Sequence, residues 1–364
     1  MRVNRDIKVP LYMQVYEGLK TMIKAEKWRE GELIPSEREL SNLFQVDRLT
    51  VRRALGMIAQ EGLVEKIAGL GTRITTPPQV EENLNFHNLI FLLPKIPKNI
   101  TTADRITEPF NASLFFSTEN ECKKRGYNLI YTTLSDTDSL MEMFERQHIP
   151  GIFFVSKVSE KFLTEAKNLK VPAVVVNNEN DYFPMIRPDR EKGTYEAIKY
   201  LINLEHRRIA FISGIPSYIT SKNCFEGFKR ALTDSNMDWE KQIVKEGNWT
   251  FDGGYQAMKE IIKEHSQLPT AVFACNDMTA IGAMEALKEE GFSIPDDVSV
   301  IGFDDIEQSR YCSPKLTTVR VDTALIARMA CQNLFYAIES REMHHIQIIV
   351  PTELKIREST GRSK

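Results

Sequence analysis

Apolar and polar segments alternate regularly along the chain from residue 88 onward. Short apolar runs of strand length are separated by longer amphipathic segments of helix length. The predicted strands span residues 88–93, 127–133, 151–155, 173–176, 208–213, 270–274 and 298–303, and the predicted helices span residues 113–125, 138–147, 160–169, 192–204, 218–232, 253–264 and 278–291. Continuously apolar strands between helices predict parallel sheets that are covered on both faces. The two series, of roughly 100 residues each, predict two similar lobes.

The first 76 residues have a different pattern. Residues 11–25 form an amphipathic helix, with Val15, Leu19 and Met22 facing inward and Tyr12, Tyr16 and Ile23 on its flanks. Ser36 is an N-cap with Glu39 three residues later, which is the sequence of a capping box, and Leu40 and Leu43 of that helix are expected to face inward. Val51, Leu55 and Ile58 recur at helical spacing and form the buried stripe of a further helix.

The stripe of this last helix leaves Arg48, Leu49, Thr50, Arg52 and Arg53 on its outer face. The strand-forming residues 63–67, a glycine-containing turn at 68–72 and the returning residues 73–75 then predict a wing. A recognition helix of this kind enters the major groove, where arginine pairs with guanine and threonine contacts a phosphate or a thymine methyl group. The alternative is a solvated face with ion pairs, but Arg48 is followed by Arg52 four residues later, with no acid to pair.

Several motifs in this region resemble the GntR family of bacterial transcriptional regulators. They are Pro10-Leu11-Tyr12-Met13-Gln14-Val15, Gly31-Glu32-Leu33-Ile34-Pro35-Ser36-Glu37-Arg38-Glu39-Leu40, Arg48-Leu49-Thr50-Val51-Arg52-Arg53-Ala54-Leu55 and Gly69-Leu70-Gly71-Thr72. The resemblance implies DNA contacts at Arg38, Arg48, Thr50, Arg52 and Gly69, and Ser36 and Leu49 complete the predicted DNA-binding set. Asp47, Leu49 and Leu70 depart from the serine, polar and basic residues that are usual in the family, which leaves the operator sequence open.

Composition and charge narrow the range of functions that the sequence allows. Residues 1–76 carry 13 Lys and Arg against 10 Asp and Glu, a charge of +3, which leaves −6 of the total of −3 for the rest of the chain. The five cysteines, Cys122, Cys224, Cys275, Cys312 and Cys331, form no C-x-x-C motif, and His344-His345 is interpreted as a surface turn before a strand. Neither a disulfide framework nor a metal or cofactor site is expected. The charged N-terminus and the absence of an apolar run of ~18 residues predict a cytoplasmic protein without a signal peptide or a membrane segment.

Ligands of open α/β sheets bind beyond the carboxyl ends of the strands, and a cleft between two lobes adds closure. The polar or small residues in those positions are Lys95, Asn177, Asn178, Gly214, Ile215, Asn276, Asp277, Asp304 and Asp305. Carboxylates and amides suit a polyhydroxylated ligand, and Trp249 offers an apolar face to a sugar ring. Each of these residues also has a structural interpretation, because Asn and Asp cap helices and a lone Trp is usually part of the core.

This second region resembles the effector domain of LacI/GalR-type regulators, which is related in fold to periplasmic sugar-binding proteins. The matching stretches are residues 274–282, 294–305, 314–319 and 351–360. The resemblance implies ligand contacts at Asn177, Trp249, Asn276 and Asp304. Cys224 stands where that family often has a sugar-anchoring arginine, so either Arg187 or Lys95 replaces it or the ligand differs from the usual hexoses. Glu108 and Phe110, which border the insertion-like residues 95–109, are further candidates for the first lobe.

The sequence therefore predicts an α/β protein with a winged helix-turn-helix domain at residues 1–76, a linker at 77–87 and a two-lobed, doubly wound, periplasmic-binding-protein-like domain at 88–360. This order resembles the arabinose-responsive repressors. It implies a homodimer that binds double-stranded operator DNA and is released by a small sugar such as L-arabinose, with residues 324–338 as a part of the dimer interface. The alternatives are an α/β enzyme, for which no G-x-G-x-x-G, P-loop or catalytic triad is present, and a plain sugar-binding receptor, which would need export.

Overall fold

The computed structural model describes residues 10–24, 27–29, 31–60, 63–67, 70–75, 87–94, 108–135, 138–146 and 149–364. The chain divides into two compact units, residues 1–85 and residues 86–364. Two predicted binding residues, Gly69 and Lys95, lie outside the described residues, as do residues 77–86 of the predicted linker. No helix among the described residues is long and apolar enough to cross a membrane.

The first unit contains three helices and a two-stranded antiparallel hairpin. The elements are α1 (Leu11–Lys24), α2 (Glu37–Phe44), α3 (Arg48–Gln60), β1 (Val64–Ile67) and β2 (Gly71–Ile74). The predicted stripes pack together, since Val15, Leu19, Leu40, Val51, Leu55 and Ile58 are all buried. This arrangement of helices followed by a hairpin confirms the predicted winged helix-turn-helix.

Three side chains of this core differ from the prediction. Leu43 is 37% exposed, and Phe44 is buried in its place. Phe44 lies one helical turn after Leu40 and so shares its face, which leaves Leu43 at the edge. Tyr16, which was expected on the flank of α1, is buried, whereas Met22 is only partly buried.

The start of α2 has the predicted capping box. The Ser36 hydroxyl accepts from the Glu39 backbone N–H at 3.3 Å, and the Glu39 carboxylate accepts from the Ser36 backbone N–H at 2.8 Å. We expect Ser36→Ala to destabilise α2 by about 1 kcal/mol, because one backbone donor at the helix start loses its partner. Amide hydrogen exchange of α2 in the full chain measures this loss. The matched control, Ser36→Thr, keeps a hydroxyl and should exchange as the wild type does.

The second unit has two lobes, and each is built on a six-stranded sheet. The first sheet has the order β13-β7-β6-β5-β3-β4. Its strands are β3 (His87–Pro94), β4 (Tyr127–Leu134), β5 (Ile152–Val155), β6 (Ala173–Val176), β7 (Met185–Pro188) and β13 (Gln347–Val350), and all its pairings are parallel. Residues of β3 alternate between two cores, with Phe91 in one and Leu92 in the other.

Helices cover both faces of this sheet. α4 (Pro109–Lys123) and α11 (Thr323–Ser340) pack together on one face, while α5 (Leu140–Arg146) and α6 (Glu160–Asn168) cover the other. His344 and His345 are exposed just before β13, as predicted.

The second sheet has the order β14-β12-β11-β10-β8-β9. Its strands are β8 (Ile209–Ser213), β9 (Val244–Glu246), β10 (Ala271–Ala274), β11 (Ser299–Asp304), β12 (Thr317–Arg320) and β14 (Glu353–Lys355), and only the β12–β14 pairing is antiparallel. The helices are α7 (Arg190–Asn203), α8 (Ile219–Thr233), α9 (Phe251–Glu264) and α10 (Asp277–Glu289).

The chain passes between the two lobes three times. It crosses from β7 to α7, from β12 to α11 and from β13 to β14, so neither lobe is a continuous segment. Three adjacent crossings form a hinge, which permits closure of two rigid lobes on a ligand.

Candidate functional site

The N-terminal half of α3 presents the predicted DNA-contacting side chains to solvent. Arg48, Arg52 and Arg53 are exposed, and Leu49 is 74% exposed. Thr50 is held by the cap of the helix, since its backbone N–H and its hydroxyl both donate to the Asp47 carboxylate, at 2.8 and 2.7 Å. The hydroxyl proton of Thr50 is thus already donated to Asp47.

Arg52 has an acidic partner that the helical spacing did not reveal. Its guanidinium donates to both carboxylate oxygens of Glu37 on α2, with distances of 2.8–3.2 Å, and Lys66 of β1 approaches Glu37 at 3.0 Å. These two cations lower the pKa of Glu37 to about 2, with the Arg52 hydrogen bond as the largest cause. The expectation that no acid pairs with the α3 arginines is therefore wrong for Arg52, because the acid comes from a neighbouring helix. Because Arg52 and Lys66 share the single carboxylate of Glu37, one positive charge remains at this surface. The ion pair therefore orients the Arg52 guanidinium without neutralising the surface.

Three other predicted residues of this surface differ in their contacts and exposure. The Arg53 guanidinium lies 3.9 Å from the centre of the Tyr12 ring. The Ser36 side chain belongs to the capping box, and Arg38 is exposed on the first turn of α2. DNA contact by these side chains stays a prediction.

A cavity of about 120 Å³ lies between the lobes of the second unit. The first lobe contributes Glu108, Phe110, Asn111, Ser156 and Asn177, and the second contributes Arg190, Tyr218, Trp249, Asn276, Asp304 and several smaller groups. The structure thus brings together Phe110, Asn177, Trp249, Asn276 and Asp304, the described members of the predicted effector set. Their role in binding remains a prediction.

An ion pair forms one side of the cavity. The Arg190 guanidinium donates to the Asp304 carboxylate at 3.0 Å, and both side chains are buried. Arg190 also lies 4.7 Å from the Phe303 ring and 5.5 Å from the Phe110 ring, and its Nε–H has no partner. Burial raises the pKa of Asp304 to about 6, although the guanidinium works in the opposite direction. A buried donor without a partner is a group that a ligand oxygen can satisfy.

The cavity contains an arginine, Arg190, that the sequence did not point to. A hydrogen bond from Cys275 is the largest cause that lowers the pKa of the buried Cys224 thiol, and the Arg190 guanidinium acts in the same direction. Of the two proposed replacements, Arg187 does not line the cavity and instead approaches Glu179 at 3.4 Å, and Lys95 is outside the described residues. The arginine of the cavity, Arg190, lies in the first turn of α7, just after β7. Because β7 was not predicted, Arg190 was not among the candidate residues that follow strands.

Trp249 is positioned by three neighbours. Its ring packs edge-on against Tyr218 with centroids 4.7 Å apart, and the Asn276 side chain donates to its backbone carbonyl at 3.0 Å. Both Asn248 and Trp249 have positive φ, so the loop after β9 is held in an unusual conformation. Gly214 lies under the indole, where a Cβ atom would overlap the ring.

Gly214→Ala is expected to displace the indole and so to weaken ligand binding in the cavity about tenfold, in line with overpacking costs of about 1–3 kcal/mol. Calorimetric titration with a ligand that binds the wild-type protein measures the change in affinity. Gly361→Ala is the matched control, since a Cβ there would make ordinary contact with Pro295 at 3.4 Å. Equal affinities of the two variants would contradict the packing role of Gly214.

Asn177 is the polar residue of the first lobe with hydrogen-bonding capacity left for a ligand. It is buried, has a φ of 57°, and its side-chain oxygen has no hydrogen-bond partner. Two other residues after strands hold parts of the chain together. Asp277 accepts from the Ile306 N–H at 2.8 Å and from the Thr318 hydroxyl, and Asp305 pairs with Arg357. Asn276 does both, because it lines the cavity and caps α10 through the Thr279 N–H.

Comparisons with known proteins match both units. Residues 11–74 match the bacterial regulatory proteins of the gntR family, and residues 198–360 match the periplasmic binding protein-like domain. The chain is 30% identical over 334 residues to the probable HTH-type transcriptional repressor ExuR of Bacillus subtilis, which covers 89% of this chain and 98% of that protein. It is also 30% identical over 275 residues to the HTH-type transcriptional repressor PurR of Mannheimia succiniciproducens, which covers 72% and 80%.

Among solved structures, a LacI family transcriptional regulator from Enterococcus faecium with bound ribose superimposes with a TM-score of 0.67 at 26% identity. It covers 76% of this chain and all of that one.

A winged helix-turn-helix unit in one chain with a two-lobed ligand-binding unit defines a ligand-responsive transcriptional regulator. The chain belongs to the HTH-type transcriptional repressors that combine a gntR-family DNA-binding domain with a periplasmic-binding-protein-like domain. It is a DNA-binding repressor and not an enzyme.

Proposed function

We propose that the protein represses carbohydrate-utilisation genes as a homodimer, and that a single small sugar such as L-arabinose releases it from its operator. The observation that carries the proposal is the cavity between the lobes, where Trp249 offers an apolar face and Asn177, Arg190 and Asp304 offer hydrogen-bonding groups. This combination of one aromatic face and several converging polar groups is typical of a site for a small polar ligand.

The size of the cavity supports one sugar ring. Its volume of about 120 Å³ is well below the roughly 300–1,000 Å³ of sites for drug-sized ligands. A pentose such as L-arabinose suits this volume better than an oligosaccharide does. Ribose, also a pentose, is the ligand bound by the Enterococcus faecium regulator.

The charge of the cavity supports a neutral sugar. Among the described lining residues there are two carboxyl groups, Glu108 and Asp304, and one guanidinium, Arg190. A sugar acid would bring a further carboxylate next to Asp304, which already pairs with the Arg190 guanidinium, and like charges at short distance repel strongly in a buried site. A neutral polyol donates a hydrogen bond to Asp304 and accepts hydrogen bonds from Arg190.

Release follows from closure of the lobes. A sugar that binds the closed form more tightly shifts the two-state equilibrium by its differential affinity, typically about 1–3 kcal/mol or about 5–150-fold. In a homodimer, closure of both effector units changes the separation of the two DNA-binding units. Residues 324–338 of α11, in which Tyr336 is 49% exposed, are our candidate for part of the dimer interface.

Two measurements test the proposal. Calorimetric titration with L-arabinose, ribose, glucose and glucuronate should give binding of a neutral pentose and none of glucuronate. Gel-shift titration with DNA fragments from upstream of the regulated genes should then show weaker binding when that pentose is present. DNA affinity that is the same with and without each of these sugars would contradict the proposed release.

A further inference from the structure

Two carboxyl groups from opposite lobes meet at the cavity. Glu108 precedes α4 in the first lobe, and Asp304 ends β11 in the second. The other ionisable groups that the structure describes here are Arg190 on α7, the Tyr218 hydroxyl just before α8, the thiols of Cys224 on α8 and Cys275 after β10, and Asp277 on α10 behind Asp304. Among the residues that the structure describes at this site, Arg190 is the only cation. One positive charge thus serves two carboxyl groups.

The Arg190 guanidinium donates a hydrogen bond directly to the Asp304 carboxylate. Among the residues that the structure describes, the partners of Glu108 are backbone groups, since it caps α4 by accepting from the N–H groups of Phe110 and Asn111. Burial, followed by the nearby Asp304 carboxylate, raises the pKa of Glu108 to about 7, although the two N–H groups and Arg190 act in the opposite direction. The two carboxyl groups therefore compete for one cation, and Glu108 is the one that takes up a proton first.

The two capping bonds differ in length. Oε2 of Glu108 lies 2.8 Å from the Asn111 nitrogen, whereas Oε1 lies 3.2 Å from the Phe110 nitrogen. A neutral carboxyl group keeps one good acceptor and turns the other oxygen into an O–H donor. Because the shorter bond suits a carbonyl oxygen, we assign the hydroxyl of the neutral acid to Oε1, the oxygen with the longer bond.

We propose that Glu108 is a specificity-determining residue that enters the closed cavity as a neutral carboxylic acid and donates a hydrogen bond to a ligand oxygen, so that ligand binding takes up a proton. This inference rests on the proposed function, because it assumes that a sugar closes the lobes. Asp304 then acts as the charged acceptor and Glu108 as the donor, which gives the site two chemically different carboxyl groups.

The direction of the pH dependence follows from linkage. With the lobes apart, Glu108 is in water and has an ordinary pKa; in the closed cavity its pKa is raised to about 7. Closure therefore takes up a proton between these two values, and binding weakens as the pH rises through about 7. We expect the dissociation constant of a bound sugar to increase about tenfold from pH 6 to pH 8, with uptake of roughly half a proton at pH 7.

The test is calorimetric titration of the full chain with L-arabinose and with ribose from pH 6 to pH 8. At pH 7 the titration is repeated in phosphate and in Tris buffer, whose ionisation enthalpies differ, and the difference in binding enthalpy counts the protons. Glu108→Gln keeps the size of the side chain, an acceptor for Asn111 and a donor for the ligand. This variant should lose the pH dependence of the affinity between pH 7 and pH 8 and take up almost no proton at pH 7, and only the titration of Asp304 near pH 6 should remain.

Asp238→Asn is the matched control. Asp238 caps the short 3₁₀ helix Trp239–Lys241 through the Glu240 N–H at 3.0 Å, and it does not line the cavity. This variant removes a capping carboxylate elsewhere in the same unit, so it should show the pH dependence and proton uptake of the wild type.

The outcomes separate this inference from the proposed function. A sugar that binds with no proton uptake, or with the same uptake in Glu108→Gln, leaves the proposed function standing and overturns the role of Glu108. If neither sugar binds, the proposed function loses its support, and the role of Glu108, which requires a bound sugar, is overturned with it.

Discussion

Arg52→Ala is expected to weaken binding to specific operator DNA about 5- to 150-fold, which corresponds to about 1–3 kcal/mol for the loss of one arginine contact to a base. The Arg52 side chain is 62% exposed on the outer face of α3, and the Glu37 carboxylate fixes the direction of its guanidinium. A guanidinium that is already oriented loses less side-chain entropy when it reaches a base edge. Fluorescence anisotropy with specific and non-specific duplexes at one salt concentration measures the effect, and sugar binding should not change.

Glu37→Gln distinguishes a DNA contact from a purely structural ion pair. If Arg52 serves only to balance Glu37, both variants will weaken DNA binding equally, and our assignment of Arg52 to the groove will be wrong. If Arg52 contacts a base, Glu37→Gln has the smaller effect, because the guanidinium remains and one negative charge is removed from the surface. A loss that is equal on specific and non-specific duplexes would instead indicate a phosphate contact.

The DNA-binding unit was predictable where its signals are local. The capping box and the stripe of Val51, Leu55 and Ile58 depend on spacings of three or four residues, and both are present in the structure. The Arg52–Glu37 pair joins residues that are 15 positions apart on two helices. No spacing rule reaches across a helix-helix contact, so the pair could not be found from the sequence.

The effector unit was predictable where its strands are fully buried. The continuous apolar runs of β5, β6 and β10 were found with nearly their observed bounds, since every residue in them is buried. The strands β7, β9, β12 and β14 were missed, and β13 was expected only as an unbounded strand after His344-His345. They have only three or four residues each, and most of them are partly exposed, so they lack a long apolar run.

The candidate site shows a similar division. Residues after predicted strands do gather at one cavity, which follows from the parallel arrangement of the strands. Only some of them line it, since Asp277 and Asp305 bind other parts of the chain. The sequence alone does not distinguish a carboxylate that holds a loop from a carboxylate that contacts a ligand. Arg190 was missed because it follows β7, which the sequence pattern did not reveal.

Asp304→Asn is expected to abolish the response to sugar while DNA binding without sugar is retained. The change removes the charged acceptor of the cavity and leaves the Arg190 guanidinium buried without its carboxylate, and breaking a buried pair in this way typically costs about 3–5 kcal/mol. We expect a lower melting temperature of the effector unit and at least a hundredfold weaker sugar binding. Calorimetric titration and gel-shift measurements with sugar test the two halves of this expectation.

Two further variants separate binding from folding. Asp305→Asn removes the next carboxylate, which pairs with Arg357 and Arg310 and does not line the cavity, so it should lower stability but keep the sugar response. Arg190→Gln combined with Asp304→Asn removes both charges, which should restore much of the stability, because no unpaired charge is then buried. Sugar binding should remain lost in this double variant. If the double variant responds to sugar as the wild type does, the ion pair holds the fold alone and the ligand is bound by other residues of the cavity.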